Sequence, residues 1–244
     1  MTSLRDIFEN HQGRLIHKFS HYFDIYERYF SKYRGTDVVI LEIGISHGGS
    51  LQMWRKYFGE QARIYAVDIN PDCKKLEETN VKIFIGSQED RNFLEKLAGE
   101  IPTPDIIIDD GGHTMRQQIT TFEVLYPYLK SNGIYLCEDT CTSYWYEYGG
   151  RRGKKDTFVE YSKRLVDYLY AWHFKSKKVH INEFTTSTNS IHFYDSMVIF
   201  EKMPRTAPKD MQQGQKTVDH NEDPQAYRKT LFHKIIKKID SLRS

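Results

Sequence analysis

The stretch Val38-Val39-Ile40-Leu41-Glu42-Ile43-Gly44-Ile45-Ser46-His47-Gly48-Gly49-Ser50 decides how the rest of the chain must be arranged. Its apolar run is too short for a helix and closes on an acid and a group of small residues. That is the pattern of a strand buried on both faces that stops at a tight turn. Gly44, Gly48 and Gly49 permit positive φ and leave space against the backbone. Leu51 to Phe58 then reads as a helix whose first N–H groups face the turn, so a nucleotide-like molecule can lie there.

Which nucleotide follows from detail. The dinucleotide fingerprint has glycine at its first, third and sixth positions, here Gly44, Ser46 and Gly49. The missing middle glycine disfavours a nicotinamide oxidoreductase. Glu42, two residues before Gly44, would accept from a cationic amine and repel a pyrophosphate. The pattern favours S-adenosylmethionine, held by Glu42 and the turn residues Gly44, Ser46, Gly48 and Ser50. A glycine turn without a ligand is the plainer alternative.

The same rhythm recurs downstream. Ile64-Tyr65-Ala66-Val67 ends in Asp68 with Ile69 beside it, Val81 to Ile85 ends in Gly86-Ser87-Gln88, Asp105 to Ile108 in Asp109-Asp110, and Ile134 to Cys137 in Glu138-Asp139. Helical stretches lie between them, Pro71 to Glu78, Glu89 to Ala98 and Met115 to Leu129. Alternating strands and helices imply parallel pairing with right-handed crossovers, and ligands bind outside the carboxyl ends of such sheets. The predicted fold is α/β, a Rossmann-like seven-stranded, mostly parallel sheet with helices on both faces. Asp68 is placed to accept from ribose hydroxyls, or merely to cap the helix begun by Asn70-Pro71, and Ser87-Gln88 to meet an adenine.

Leu4 to Lys32 carries apolar residues, Leu15 and Phe19 among them, at helical spacing broken near Gly13, predicting one or two amphipathic helices on the sheet edge. Their aromatic residues read as core, with His17, His21, Tyr22 and Tyr26 able to reach over a ligand. Thr157 to Glu160 reads as a capping box for a helix running through Trp172. Strand-like runs follow at Val179 to Phe184 and Ile191 to Lys202, the second split by Tyr194-Asp195-Ser196, which reads equally as a bend or bulge within one strand or a short turn between two; a final antiparallel strand beside the fifth would complete the sheet. The expected organisation is an N-terminal helical segment (1–35), a cofactor domain (36–203), a linker (204–222) and a basic amphipathic helix (223–244) that docks on its own domain or pairs with a second subunit.

Composition narrows the partners. A formal net charge of +2 gives no field for nucleic acid. Three cysteines, Cys73, Cys137 and Cys141, form no even disulfide framework, and the first residues lack an apolar signal core, so a cytoplasmic protein is expected. No apolar run approaches the ~20 residues that span a bilayer.

The chemistry is predicted where Asp109-Asp110-Gly111-Gly112-His113 meets Glu138-Asp139. If their strands are neighbours, carboxylates crowd within a few ångströms, given about 4.8 Å between strands. Bound protons or a hard divalent cation must then offset their repulsion, and Mg2+ suits an oxygen site with room for waters. His113, neutral, could take the proton of a hydroxyl attacking the sulfonium methyl. The bland readings are that Asp109 or Glu138 orients backbone and His113 opens a helix; a zinc site from Cys137, Cys141 and His113 matches no standard spacing. The segment Tyr144-Trp145-Tyr146 to Arg151-Arg152-Gly153-Lys154-Lys155 offers aromatic faces for a sugar, cations for a phosphate, and glycine hinges for a lid, or else a solvated charge run.

Leu41 to Gly44, Ala66 to Asn70, Ile108 to His113 and Glu138-Asp139 with Thr142-Ser143-Tyr144 together resemble the metal-dependent sugar O-methyltransferases, the group of the macrolide enzymes and the cephalosporin-hydroxylase-like proteins. The resemblance spans residues 14 to 202. It implies magnesium ligands at Asp110, Glu138 and Asp139, a base at His113, and S-adenosylmethionine contacts at Glu42, Gly44, Ser50, Asp68 and Asp109. Relative to the macrolide enzymes the chain lacks a long N-terminal extension, which speaks against their tetramer and their macrolide acceptor; the expected acceptor is a nucleotide-activated sugar or glycan precursor in bacterial polysaccharide or natural-product biosynthesis, with Tyr144, Trp145, Arg151 and Arg152 facing it. A same-fold hydroxylase and a non-catalytic S-adenosylmethionine-binding protein are the competing readings.

Overall fold

A computed structural model describes residues 2–175, 179–218 and 235. The five apolar runs form parallel strands: β1 (Val39–Ile43), β2 (Arg63–Asp68), β3 (Val81–Ile85), β4 (Ile106–Asp109) and β5 (Ile134–Cys137). They belong to a seven-stranded sheet of order β3-β2-β1-β4-β5-β7-β6. Connections run outward in opposite directions from β1 and β4, which opens a crevice at their carboxyl ends.

At the far edge one open reading is settled and one expectation fails. β7 (Met197–Lys202) is antiparallel to β5, as read from the sequence, but β6 (Thr188–Tyr194) pairs with β7 as a hairpin. The turn uses Ser196 at φ 59°, so Tyr194-Asp195-Ser196 divides two strands rather than bending one. Val179 to Phe184 is not a strand. Asn182 accepts from Thr185 N–H and caps the short helix α7 (Glu183–Ser187), because a polar cap satisfies helix donors that a lone strand would leave open.

Strand parity sorts the side chains. Ile40, Ile106, Ile108 and Leu136 face one side of the sheet with Tyr26, Phe30 and Trp54. Leu41, Ile43, Ile107 and Tyr135 face the other with Leu94, Phe122 and Phe158. The first core is supplied by α1 (Leu4–Glu9), α2 (Tyr22–Phe30) and α3 (Gly49–Phe58), the second by α4 (Arg91–Glu100), α5 (Met115–Leu125) and α6 (Phe158–Leu169). The N-terminal helices therefore cover a face of the sheet and not its edge. Between α1 and α2 the chain is irregular where the helical spacing breaks, which leaves Leu15 and Phe19 66% and 45% exposed instead of in the core.

Local chemistry sets the remaining bounds. Pro71–Leu76 is a 3-10 turn capped by Asn70 instead of an α-helix, and α5 gives way to a 3-10 turn at Tyr126–Tyr128 because Pro127 has no N–H to extend the helix. Thr157 caps α6 by accepting from Glu160 N–H, while Trp172 falls in a separate 3-10 turn, Ala171–His173. The expected linker starts late, since Arg205 N–H donates to Thr186 O and its guanidinium lies over Trp172. Residues 208–218 carry no helix or strand. The predicted C-terminal helix lies outside the described residues, Ile235 excepted. Among the described residues no helix is long and apolar enough to cross a membrane.

Candidate active site

At the carboxyl ends of β1, β2 and β4 the glycine turn and the acidic loop close on each other. Gly44 sits at φ 82°, and a Cβ there would lie 2.2 Å from Asp110 O, so only glycine lets the two loops approach. Asp68 fixes the turn: its Oδ2 accepts from Ile45 N–H at 3.0 Å and Ser46 N–H at 3.1 Å, and its Oδ1 from Asn70 N–H at 2.9 Å. Ser46 adopts a left-handed φ of 47°.

A cleft of about 410 Å³ runs from this turn to the acids. Gly44, Ser46, Ser50, Asp68, Ile69, Ser87 and Gln88 line it at one end, and Asp110, His113 and Asp139 at the other. Leu15 to Lys18 form part of its wall. Glu42, Gly48, Asp109 and Glu138 are not among its lining residues, nor are Tyr144, Trp145, Arg151 and Arg152. Glu42 is fully buried, accepting from Trp54 Nε1 and Ser50 Oγ, each at 3.1 Å. Burial pushes its carboxyl up to about 7, against the pull of Lys18.

Parity explains where each acid points. Asp109 lies two positions beyond Ile107 and turns to the α5 side, where Gln88 Nε2 and Tyr135 OH donate to it at 3.0 Å each. Gln88 passes the connection on, accepting from Gly112 N–H at 2.7 Å, so Asp109 orients the loop from behind. Glu138, two beyond Leu136, turns to the α2 side, and Asp110 meets it there through Lys18. The Lys18 ammonium donates to Asp110 Oδ2 and, at 2.8 Å, to Glu138 Oε2. Burial works against its charge, but Asp110, Glu138 and Glu42 outweigh it and hold its pKa above the ordinary lysine value.

The N-terminal tyrosines complete the seat. Tyr26 OH donates to Glu138 Oε1 at 2.7 Å, and Tyr22 OH lies 2.8 Å from Asp139 Oδ1 while accepting from Asp139 N–H. Burial raises Asp110 to about 7 and Glu138 to about 8, the latter also through Asp110. Two residues at this end hold left-handed backbones, His113 at φ 57° and Asp139 at φ 51°. Non-glycine residues adopt this region at a cost of about 1–3 kcal/mol and cluster at functional sites. Thr142 Oγ1 lies 2.9 Å from both His113 O and Asp139 O and ties the two strained positions together.

His113 Nε2 is 3.5 Å from Asp139 Oδ2 and 3.8 Å from Asp110 Oδ1. One ligand atom from each of these residues falls within 4.8 Å of the others, close enough to share a metal ion. Burial lowers the His113 pKa below the ordinary imidazole value, against the pull of Asp139, and Nδ1 is buried without a partner among the described residues. Cys137 is buried between Asp109 and the Glu138 backbone, while the metal-competent group contains no cysteine.

Sequence reading singled out these acids and His113 but missed Lys18, Thr142 as a tie, and the tyrosine hydroxyls as partners of the acids. The available signal for Lys18 was a lone lysine between apolar residues ahead of an aromatic helix, which is too common to stand out.

The chain is similar to several known proteins. Residues 41–140 match the family described as a methyltransferase domain. The chain is 36% identical over 186 residues to the 8-demethyl-8-alpha-L-rhamnosyl tetracenomycin-C 2'-O-methyltransferase of Streptomyces olivaceus, covering 72% of this chain and 49% of the relative. It is 35% identical over 152 residues to the mycinamicin VI 2''-O-methyltransferase of Micromonospora griseorubida, covering 58% and 38%. The chain spans about half the length, or less, of the curated relatives it matches. Among solved structures it resembles the MycE methyltransferase of the mycinamycin biosynthetic pathway in complex with Mg and SAH, with a TM-score of 0.76 and 29% identity over 83% of this chain and 55% of that one. The seven-stranded sheet is the class I methyltransferase fold, and the resemblance read from the acidic motifs is borne out.

Proposed function

We propose that this chain, which carries a methyltransferase domain and is similar to sugar O-methyltransferases, transfers a methyl group from S-adenosylmethionine to a sugar hydroxyl with the help of a divalent cation, Mg2+. The acceptor is a sugar of a nucleotide-activated or glycan precursor. The observation that carries the reading is the single cleft with the Asp68 turn at one end and His113, Asp110 and Asp139 at the other.

The donor supplies an electrophilic methyl on a sulfonium, so the chain must bind a nucleoside and deliver a deprotonated oxygen. Gly44, Ser46 and Asp68 are suited to the nucleoside, with Ser87 and Gln88 near its base. The donor set fits a hard cation, since the Asp110 and Asp139 carboxylates lie within one ion's reach and Glu138 adjoins them across Lys18. Asp110, Glu138 and Asp139 would hold it, and it supplies positive charge that makes a nearby hydroxyl more acidic. His113 then takes the proton at Nε2, because burial keeps the imidazole neutral. Tyr22 and Tyr26 hold Asp139 and Glu138 in place by hydrogen bonds.

The test is mass spectrometry of acceptor panels with S-adenosylmethionine, with and without Mg2+ and with EDTA. One arm holds sugar nucleotides, another free heptoses and deoxysugars, and a third glycosylated polyketides of the kind named for the relatives. A gain of one methyl that EDTA abolishes is the expected result. Donor binding with no methyl transfer in any arm, and indifference to EDTA, would establish a binding protein instead.

A further inference from the structure

The reading of a cation site leaves one side chain unaccounted for. Lys18 donates to Asp110 and Glu138, two of the three carboxylates that would hold the ion, and its side chain is 2% exposed. An ammonium at hydrogen-bond distance from both carboxylates uses lone pairs that a hard cation needs. The lysine sits in an irregular strap between α1 and α2. The strap is pinned before the cleft by Arg14, whose N–H donates to Gln52 Oε1 and whose guanidinium pairs with Glu78 at 2.8 Å. It is pinned after it by Tyr22 N–H donating to Phe19 O. From Leu15 to Lys18, the hydrogen bonds found among the described residues are those of the Lys18 ammonium alone. The same four residues wall the cleft.

We infer that the Lys18 ammonium and the divalent cation are alternative occupants of one acidic seat, so that loading the ion releases the strap and opens that wall to the acceptor. The inference rests on the proposed cation site. In the ion-free protein Lys18 keeps Asp110 and Glu138 together at the separation they need. On loading, its bonds to both are given up, and with them the one polar tie of residues 15–18. Gly49 supplies the seat from which the strap lifts, since a Cβ there would lie 2.3 Å from both Arg14 O and Leu15 O. Beyond Arg14, the backbone therefore rests on the start of α3 by close contact and, among the described residues, without hydrogen bonds.

Mn2+ alone is the probe, followed by titration calorimetry on the wild type and on Lys18→Met, and by acetylation of the Lys18 amine in the wild type, read by peptide mass spectrometry. In the wild type, Mn2+ should speed acetylation of Lys18, whose side chain is 2% exposed without the ion. In Lys18→Met, Mn2+ should bind roughly tenfold tighter or better, because the competent state no longer has to be released. Lys18→Arg, which retains the charge, should not show the gain. Equal affinity in wild type and Lys18→Met, or Mn2+ binding to the wild type with Lys18 acetylation unchanged, overturns the inference while the cation site survives. Failure of every form to bind Mn2+ overturns the site itself and the inference with it. Should Lys18→Met not fold, Lys18 acetylation in the wild type with and without Mn2+ decides alone.

Discussion

Asp109 and Asp110 are adjacent in sequence and occupy opposite sides of one sheet. Asp109 faces the α5 side, where neutral donors from Gln88 and Tyr135 hold it. Asp110 faces the α2 side, beside Glu138, Asp139, His113 and the Lys18 ammonium. Burial raises both to about 7, so their ordinary acidity does not distinguish them. The partners do. One acid is built into scaffold that shapes the loop, and the other is part of a site with more negative charge than its single lysine offsets. Strand alternation, with its period of two, assigns the roles.

The sharpest way to break this contrast is at the front. His113→Ala should lower methyl transfer by about 10²–10⁴-fold, the usual contribution of a positioned base. Calorimetry should find S-adenosylmethionine binding nearly unchanged, and its loss would make His113 a fold residue. Next in size is the pair of carboxamides. Asp110→Asn should weaken Mn2+ binding by about tenfold or more, as second-shell and ligand losses do. Asp109→Asn should leave Mn2+ affinity within about threefold while shifting the thermal midpoint, since the change is confined to a buried hydrogen-bond network. Equal effects on Mn2+ from both variants would erase the distinction between front and back.

Much of this was legible in residues 38–50 and 105–139, where apolar runs end in acids and glycines. Those runs are buried on both faces, which makes them continuous and easy to read. Neighbouring strand ends brought Asp110 and Glu138 together in that reading, and the structure adds by parity that both turn to one side. What stayed hidden came from outside the sheet. Lys18, Tyr22 and Tyr26 reach the acids from residues more than ninety positions away in sequence, as with the 92-residue separation of Lys18 and Asp110. No local period encodes such a contact. The start of β6 was missed because Thr188-Asn189-Ser190 is polar, the composition of a loop, although β7 pairs it into the sheet edge. Val179 to Phe184 failed for the opposite reason: a few apolar residues looked like a strand, while Asn182 and Thr185 held a reciprocal helix cap.

A smaller effect probes what the N-terminal helices contribute. Tyr26→Phe removes the 2.7 Å donor to Glu138 Oε1 and leaves a buried carboxylate short of a partner. The cost should be about 1–3 kcal/mol in chemical denaturation. Adding Mn2+ should recover part of it, if the ion takes up the same carboxylate. The equivalent change behind the sheet, Tyr135→Phe, should cost a similar amount with no recovery by Mn2+, because Asp109 is not in the seat.

The smallest effect concerns pH and Glu42, on the front side of the sheet but held by neutral donors like those at the back. Its folded pKa of about 7 lies above its ordinary 4.5, with burial as the leading cause. A group whose pKa is raised on folding contributes stability that is complete below the unfolded value and is lost as pH rises through the folded value. Glu42 should therefore stabilise the ion-free protein more at pH 5 than at pH 8, through uptake of up to one proton on folding. Glu42→Gln keeps the shape and cannot titrate. Between about pH 4.5 and 7 the fall of unfolding free energy with pH should be shallower in the variant by at most ~1.36 kcal/mol per pH unit. Denaturant titrations across that range read the slope directly. Parallel slopes would mean that Glu42 is ionised in the folded protein throughout, with Lys18 and the Trp54 and Ser50 donors outweighing its burial.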